Sequence, residues 1–323
     1  MKEVAVGIDI GGTNSVYGFV DKNGNVLAKN TIPTQGFDSI EDYVKKLHES
    51  IQETFQNLKT INKAIEIYGI GIGAPNGNYY KGTIEHAPNL DWKGVVPLVD
   101  LFKKYYSIPV ALTNDANAAA IGEMIYGGAK NMKNFIVLTL GTGLGSGIII
   151  NGNLVYGHTG FAGELGHVVI FPEGRECGCS RRGCLETYVS ATGIKRTVQE
   201  LLAKYRVEST LSDISFKKLT SKMITEAAMN GDKIALEAFE YTAKILARGM
   251  ADMITFSSPE AIFLFGGLAL AGDYLFKPTQ KYLDEYVMKI FKSTCKIQPS
   301  LIPESNAAVL GASAIVWKEV ANK

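Results

Sequence analysis

Twice in this chain an apolar strand runs into a cluster of glycines, then into a second strand that ends in an Asn-Gly turn. The first occurrence is "GIDIGGTNSVYGFVDKNGNVL" (7–27) and the second is "VLTLGTGLGSGIIINGNLV" (137–155). Corresponding positions lie about 130 residues apart throughout. Self-similarity at a fixed offset predicts duplicated strand–turn–strand units, one in each of two domains. Asn-Gly hairpins are common, so the turns alone would also allow two unrelated hairpins.

The rest of the chain alternates in the same α/β manner. Residues 38–58 have helical spacing, with Ile40, Tyr43, Val44, Leu47, Ile51 and Phe55 on one face. A buried strand is expected at 65–73 and a short helix at 96–106. A strand ending in "LTN" then hands over to an Ala-rich helix near Asp115. Helices are expected at 185–204, 230–257, 274–291 and 306–320, with strands at 261–265 and 297–302. A length of 323 residues suits two domains. No Pro- or Ser-rich linker separates them, so the expected boundary falls in the 115–130 region. The expected domains are 1–118 and 119–305, with the last helix (306–323) packing back on the first. A cleft built by both would then carry the site.

Hydrophobic residues make up 46% and charged residues 20%, with a net charge of +1. That balance supports a real core and gives no electrostatic reason to expect nucleic acid or an anionic membrane as a partner. No apolar run approaches a membrane span, and the N-terminus shows no secretory h-region. A cytoplasmic protein is the expectation. In a reducing compartment, clustered cysteines favour metal or redox chemistry over structural disulfides.

In "DIGGTN", Gly11 and Gly12 let the backbone approach an anion, and Thr13 and Asn14 add side-chain donors. Asp9 would repel phosphate unless a cation such as magnesium intervened. Read alone, the motif is equally a tight hairpin turn with an incidental acid. "LGTGLGSG" supplies a second turn through Gly141, Thr142 and Gly143, and Gly266-Gly267 a third, which read alone is also a plain helix-entry turn. The second is not a dinucleotide fingerprint, because a strand follows where that motif needs a helix, and no GK[ST] is present. Asn114 and Asp115 stand where a strand hands over to a helix. They read as an N-cap, as a general base facing the site, or as both.

Three of the four cysteines, Cys177, Cys179 and Cys184, crowd into "ECGCSRRGCLE" (176–186), and His167 precedes them by ten residues. Three thiolates and one imidazole are the ligand set of a closed, structural zinc site. A disulfide would leave an odd cysteine, and no C-x-x-C is present for redox work. Glu164 and Glu186 flank this loop. They read either as carboxylates that the metal holds in place to accept hydroxyls of a polyol, or as solvated surface acids.

Taken together, "GIDIGGTN", "GIGAPNG", "APNLDW", "NDANAAA", "LGTGLGSG", "GELGH", "CGCSRRGCLE" and "FLFGGL" run in order from residue 7 to 268 and resemble the ROK family of sugar kinases and repressors. The glucokinase-like branch is the most similar. The resemblance implies the two-domain actin-like ATPase fold of sugar kinases, with ATP bound between the domains and a hexose or N-acetylhexosamine as acceptor. It makes Asp115 the base and Asn89, Asn114, Asp115, Glu164, His167 and Glu186 the sugar contacts. His167 then serves as a metal ligand as well. ATP, magnesium and a structural zinc are the expected cofactors, and a homodimer or higher assembly is expected.

Glucose is the favoured acceptor; N-acetylglucosamine, N-acetylmannosamine and mannose are the rivals. A non-catalytic sugar sensor is the reading from a different class. The family's repressors carry an N-terminal helix-turn-helix, for which the reading leaves no room before the first phosphate strand. One departure stands out: Asn76 precedes Gly77 where the family shows "GAPG", which leaves the shape of that sugar-side loop open.

Overall fold

A computed structural model describes residues 2–320. The first part of the chain forms β1 (Lys2–Ile10), β2 (Asn14–Asp21), β3 (Val26–Pro33), α1 (Ile40–Ile61), β4 (Ile65–Gly73), β5 (Gly77–Asn78), β6 (Thr83–Glu85), β7 (Val95–Val96), α2 (Leu98–Lys103), β8 (Val110–Thr113) and α3 (Asp115–Ile125). The remainder forms β9 (Phe135–Leu140), β10 (Leu144–Ile150), β11 (Asn153–Leu154), α4 (Ala191–Lys204), α5 (Ser221–Met229), α6 (Lys233–Ser257), β12 (Ala261–Phe265), α7 (Asp273–Tyr286), β13 (Lys296–Pro299) and α8 (Glu304–Ile315).

Two five-stranded sheets repeat one plan, in the orders β3-β2-β1-β4-β8 and β11-β10-β9-β12-β13. In each, the central strand pairs antiparallel with the next in sequence and parallel with the strand on its other side. A further parallel strand completes the edge, β8 beside β4 and β13 beside β12. The strand–turn–strand echo in the sequence therefore marks the start of each sheet. Each glycine turn joins the first strand of its sheet to the second.

The chain divides into two compact units. The first runs to Met132 and adds Leu154–Ala162 and the segment from Ser300; the second comprises Lys133–Asn153 and Gly163–Pro299. This division falls later than the 118/119 break expected from the strand-to-helix handover, because α3 as a whole packs on α8. A Cβ on Gly122 would stand 2.9 Å from the Cα of Gly311. Below that crossing, the buried Glu123 accepts hydrogen bonds from Gly128 N (2.6 Å), Ser300 Oγ (2.6 Å) and Leu301 N (3.2 Å). It thereby ties the chain entering α8 to the end of α3.

In the first unit α1 starts at an Ser39 cap, whose hydroxyl accepts from Asp42 N at 3.1 Å. It buries Tyr43, Val44, Leu47 and Ile51 in the core that also takes Ile8, Ile10, Tyr17 and Phe19. Helix α8 is buried continuously from Val309 to its end at Ile315 and lies directly on strand backbone. A Cβ on Gly7 would run into the Val309 carbonyl oxygen, and one on Gly71 into that of Ala312.

Several expected boundaries shift. The helix expected at 185–204 is a 3-10 turn at Leu185–Thr187 followed by α4, which restarts at the Ser190 cap. The helix expected to begin at 230 begins at Lys233, and α5 before it was not foreseen. The helix expected to run to 291 stops at Tyr286. The small sheet β5-β6-β7 was also not anticipated. Among the described residues no helix is long and apolar enough to cross a membrane.

Gly71→Ala should cost roughly 3 kcal/mol or more in equilibrium urea unfolding, the scale of overpacking a core that cannot yield. A loss below 1 kcal/mol would mean that α8 can move away from the sheet at little cost.

Candidate active site

In the first unit the candidate residues Asp9 and Asp115 lie at the carboxyl ends of three neighbouring parallel strands, the usual position for ligands in open α/β sheets. Asp9 at the end of β1 is paired with Gly73 of β4, and Gly73 with Thr113 of β8. Asp115 follows at the first turn of α3. A Cβ on Gly73 would stand 3.7 Å from both Asp9 Oδ1 and the Asp115 Cα, so the two acids share one corner. Burial, and then the charge of Asp115, push the Asp9 carboxyl up to about 7. Burial also raises Asp115, against the pull of the Ala116 N–H that Asp115 Oδ1 accepts at 2.8 Å. Asp115 nevertheless has solvent-accessible surface. Both facts hold for a carboxyl that water reaches from one side while protein crowds the others.

Asn114 is the N-cap of α3: its Oδ1 accepts from Asn117 N at 2.6 Å, and Asn117 Nδ2 donates to Thr113 Oγ1 at 3.1 Å. Capping and a place beside Asp115 therefore coincide. In the glycine turn, Gly11 N donates to the Asn14 carbonyl (3.0 Å) and the Thr13 carbonyl accepts from Thr34 N (2.8 Å). Gly12 lies so close to Asn89 that a Cβ there would stand 2.8 Å from the Asn89 carbonyl oxygen. The first turn and the exposed Asn89 thus belong to one locality.

Asn76 is accommodated without disruption. It adopts φ +52°, a left-handed conformation Asn tolerates better than most residues. Its Nδ2 donates to the carbonyls of Glu85 (2.9 Å) and His86 (3.3 Å), closing the β5–β6 hairpin. Gly77 then lies against the Thr113 carbonyl, setting this hairpin beside the end of β8. Sequence reasoning missed Asn78. It is fully buried and its Nδ2 donates to the Thr159 carbonyl at 2.9 Å, while Tyr79 stacks on Tyr156 at 4.2 Å. The "NYY" run carried the apolar signal for such a contact, but its partner is distant in sequence.

In the second unit the other two glycine turns lie together. Gly266 takes φ +97° against the Leu140 carbonyl, which also accepts from Leu268 N at 3.2 Å. The Gly141 carbonyl accepts from Ala191 N, the first residue of α4, at 2.8 Å, and Thr142 is exposed. Gly267 faces the start of α5, where Ser221 Oγ would stand 3.9 Å from an added Cβ. A Cβ on Gly143 would stand 2.6 Å from Glu186 Oε2 and would displace that carboxylate from its present place; the same oxygen lies 3.4 Å from Leu144 N.

Glu186 joins this turn to the cysteine loop. Its Oε1 lies 2.9 Å from Cys177 Sγ and 3.6 Å from His167 Nδ1. His167, Cys177, Cys179 and Cys184 each offer a donor atom within 4.8 Å of the others. All four cysteines of the chain are free thiols. Burial pushes the Cys177 thiol up. At Cys179 burial also raises the thiol, but hydrogen bonds from the Arg181 side chain and backbone outweigh it and bring the group down to about 6. Glu164 precedes the 3-10 turn Leu165–His167 rather than an α-helical turn, with Oε2 4.0 Å from His167 Nε2. The Ser146 hydroxyl bonds the Gly163 carbonyl and accepts from Leu165 N (3.1 Å), pinning that segment to β10.

The sequence matches the ROK family over residues 5–319. A glucokinase of Thermotoga maritima is 35% identical over 323 residues, which span 98% of each chain. A glucokinase of Halalkalibacterium halodurans is 36% identical over 319 residues, 97% of this chain and 95% of that one. Among solved structures, a ROK family glucokinase from Streptomyces griseus in complex with glucose and AMPPNP superposes with a TM-score of 0.78 at 30% identity, covering 97% of this chain and 98% of that one. Two sheets of one topology, glycine turns at the head of each and full-length relatives agree: the chain is an α/β protein of the actin-like ATPase fold and belongs to the ROK family.

Proposed function

We propose that this protein is an ATP-dependent hexose kinase that phosphorylates the 6-hydroxyl of glucose. The observation that carries the reading is Asp115. It is a carboxyl with a raised pKa that water can still reach, at the carboxyl end of β8 and beside Asp9 and the end of β4. Asp115 takes the proton of the 6-hydroxyl as that oxygen attacks the γ-phosphorus in line. The O6–P bond forms, the bond to the β,γ-bridging oxygen breaks, and ADP leaves. Phosphoryl transfer has little covalent work for the protein, so positioning and charge stabilisation carry most of the rate.

Asn89, Asn114, Glu164, His167 and Glu186 hold sugar hydroxyls in this proposal. The turns at Gly11–Asn14, Gly141–Gly143 and Gly266-Gly267 receive the nucleotide. Asp9 is the carboxylate suited to magnesium, which neutralises phosphate charge when bound. The named glucokinases at 35% and 36% identity favour glucose over mannose or an N-acetylhexosamine.

The cysteine loop suits zinc. A tetrahedron with Zn–S of about 2.3 Å and Zn–N of about 2.05 Å has S–S edges of about 3.8 Å and S–N edges of about 3.5 Å. Cys179 Sγ–Cys184 Sγ is 3.6 Å and Cys177 Sγ–His167 Nδ1 is 3.5 Å. Zinc would hold this loop, and with it His167 and Glu186, in one arrangement.

Turnover, metal content and stability each test these assignments. ADP release with magnesium-ATP should be fastest on glucose in a panel with mannose, fructose, N-acetylglucosamine and N-acetylmannosamine. Asp115→Asn should lower kcat by about 10²–10⁴ while glucose binding persists. Glucose binding without turnover on any sugar would instead identify a sensor.

Metal analysis should find about one zinc per chain, as one set of four ligands requires, and chelation should weaken glucose binding before ATP binding. A zinc-free protein with full glucose affinity contradicts this.

Asp9 titrates near 7 in the folded chain against 3.8 unfolded, so its contribution is favourable below about 4 and is lost as pH rises through 7. Without magnesium, Asp9→Asn should therefore stabilise the fold at pH 8, by on the order of 2–4 kcal/mol, and leave it unchanged near pH 4. Equal stability of both forms at pH 8 would remove the electrostatic account of this corner.

A further inference from the structure

Arg175 stands two residues before the first loop cysteine, and its side chain is only 10% exposed. Its guanidinium uses every edge. Nη1 donates to the carbonyls of Thr187 (2.7 Å) and Gly193 (3.1 Å), and Nη2 to Thr197 Oγ1 (3.0 Å). Nε and Nη2 form a fork on the Glu200 carboxylate at 2.9 and 2.5 Å. The flat cation lies 4.5 Å from the centre of the Tyr188 ring, whose hydroxyl accepts from Arg175 N at 3.0 Å. The Arg175 carbonyl in turn accepts from Gly183 N at 2.8 Å.

Three pieces of chain converge on this one residue: the entry to the cysteine loop, the turn Leu185–Thr187, and α4 from Gly193 to Glu200. Glu186 lies in the middle of that turn, between Cys184 and the Thr187 carbonyl that Arg175 holds. The turn's own bonds are few: Leu185 N donates to the Val168 carbonyl (2.9 Å), Thr187 N to that of Cys184 (3.0 Å), and Tyr188 N and Val189 N to that of Leu185 (3.0 and 3.1 Å); the longer ladder of α4 begins only at Ala191. A planar, permanently charged fork loses little freedom in making several bonds at once, which suits it to this task better than lysine.

We infer that Arg175 is a positioning residue for sugar recognition. It holds the 185–189 turn so that the Glu186 carboxylate stays between Cys177 and the Gly143 turn. The consequence for sugar affinity rests on the function proposed above; the effect on the turn does not.

Arg175→Gln, Arg175→Lys, Glu200→Gln, Glu186→Gln and the Arg175→Gln/Glu186→Gln pair test this in the zinc-loaded chain. In Arg175→Gln the amides of Thr187, Tyr188 and Val189 should exchange with solvent about tenfold faster, while those in the middle of α6 stay unchanged. Its glucose Kd should rise about tenfold, with ATP affinity and zinc content within twofold of the starting protein. Arg175→Lys should recover part of that loss. Glu200→Gln, which removes only a half-exposed anchor of the fork, should shift affinity in the same direction by a few-fold.

The double variant should bind glucose no worse than Glu186→Gln alone, because the arginine acts through that carboxylate. Unchanged amide exchange in Arg175→Gln and Glu200→Gln would overturn the inference. So would losses that add in the double variant, or that fall equally on ATP and zinc. Faster exchange in a chain that binds none of the sugars would support the role of Arg175 in the turn and overturn the kinase reading alone.

Discussion

Helix α8 meets β1 and β4 with no layer of side chains between them, and the first half of the candidate site depends on that contact. The strands present Gly7 and Gly71, and the helix presents the carbonyls of Val309 and Ala312. α3 then uses α8 as its own support, again through a glycine pair at Gly122 and Gly311. Asp9 ends β1 and Asp115 begins α3, so the spacing of the two acids is set by how closely one helix approaches the sheet. Close-packed backbone is stiff because it has no rotamers to exchange. That stiffness suits a pair of like charges that would otherwise move apart.

The second unit reaches its order by a different route. Around Glu186 there is little regular structure, and hydrogen bonds replace it beside a cluster of three thiols and one imidazole. Glu186 touches the cysteine cluster with one oxygen and the glycine turn with the other. Gly143 leaves the space that makes the second contact possible. An irregular loop built this way needs its polar groups satisfied one by one, and Arg175 satisfies several at once.

What could be read from the sequence was what is local. The glycine turns, the cap at Asn114 and the cysteine spacing each announce themselves within a dozen residues, and the paired sheets follow from repeating one such signal. The zinc-type spacing named the four donors, although it could not say that Nδ1 of His167 faces the thiols. Strands of two residues, as in β5 and β7, are too short to show a period of two, so the hairpin carrying Asn76 stayed hidden. The Leu185–Tyr188 stretch has helical spacing, but Ser190 restarts the helix instead of continuing it. Helix α5 had usable signals in the Thr220 cap and the Met223, Ile224, Ala227 and Ala228 spacing. Gly7 and Gly71 read as ordinary strand glycines because the helix they admit lies far along the chain.

That separation bears on how the protein is made. Gly7 and Val309 are roughly 300 residues apart, a span that takes about 15–60 s to synthesise at typical ribosomal rates. Through that interval β1 and β4 have left the ribosome without the helix that covers them, while every strand of the second sheet is completed. One face of that sheet has α1 to cover it early, and the other waits for α8. The first unit is complete only after the second has been translated, and the face of its sheet that takes α8 stays uncovered until then.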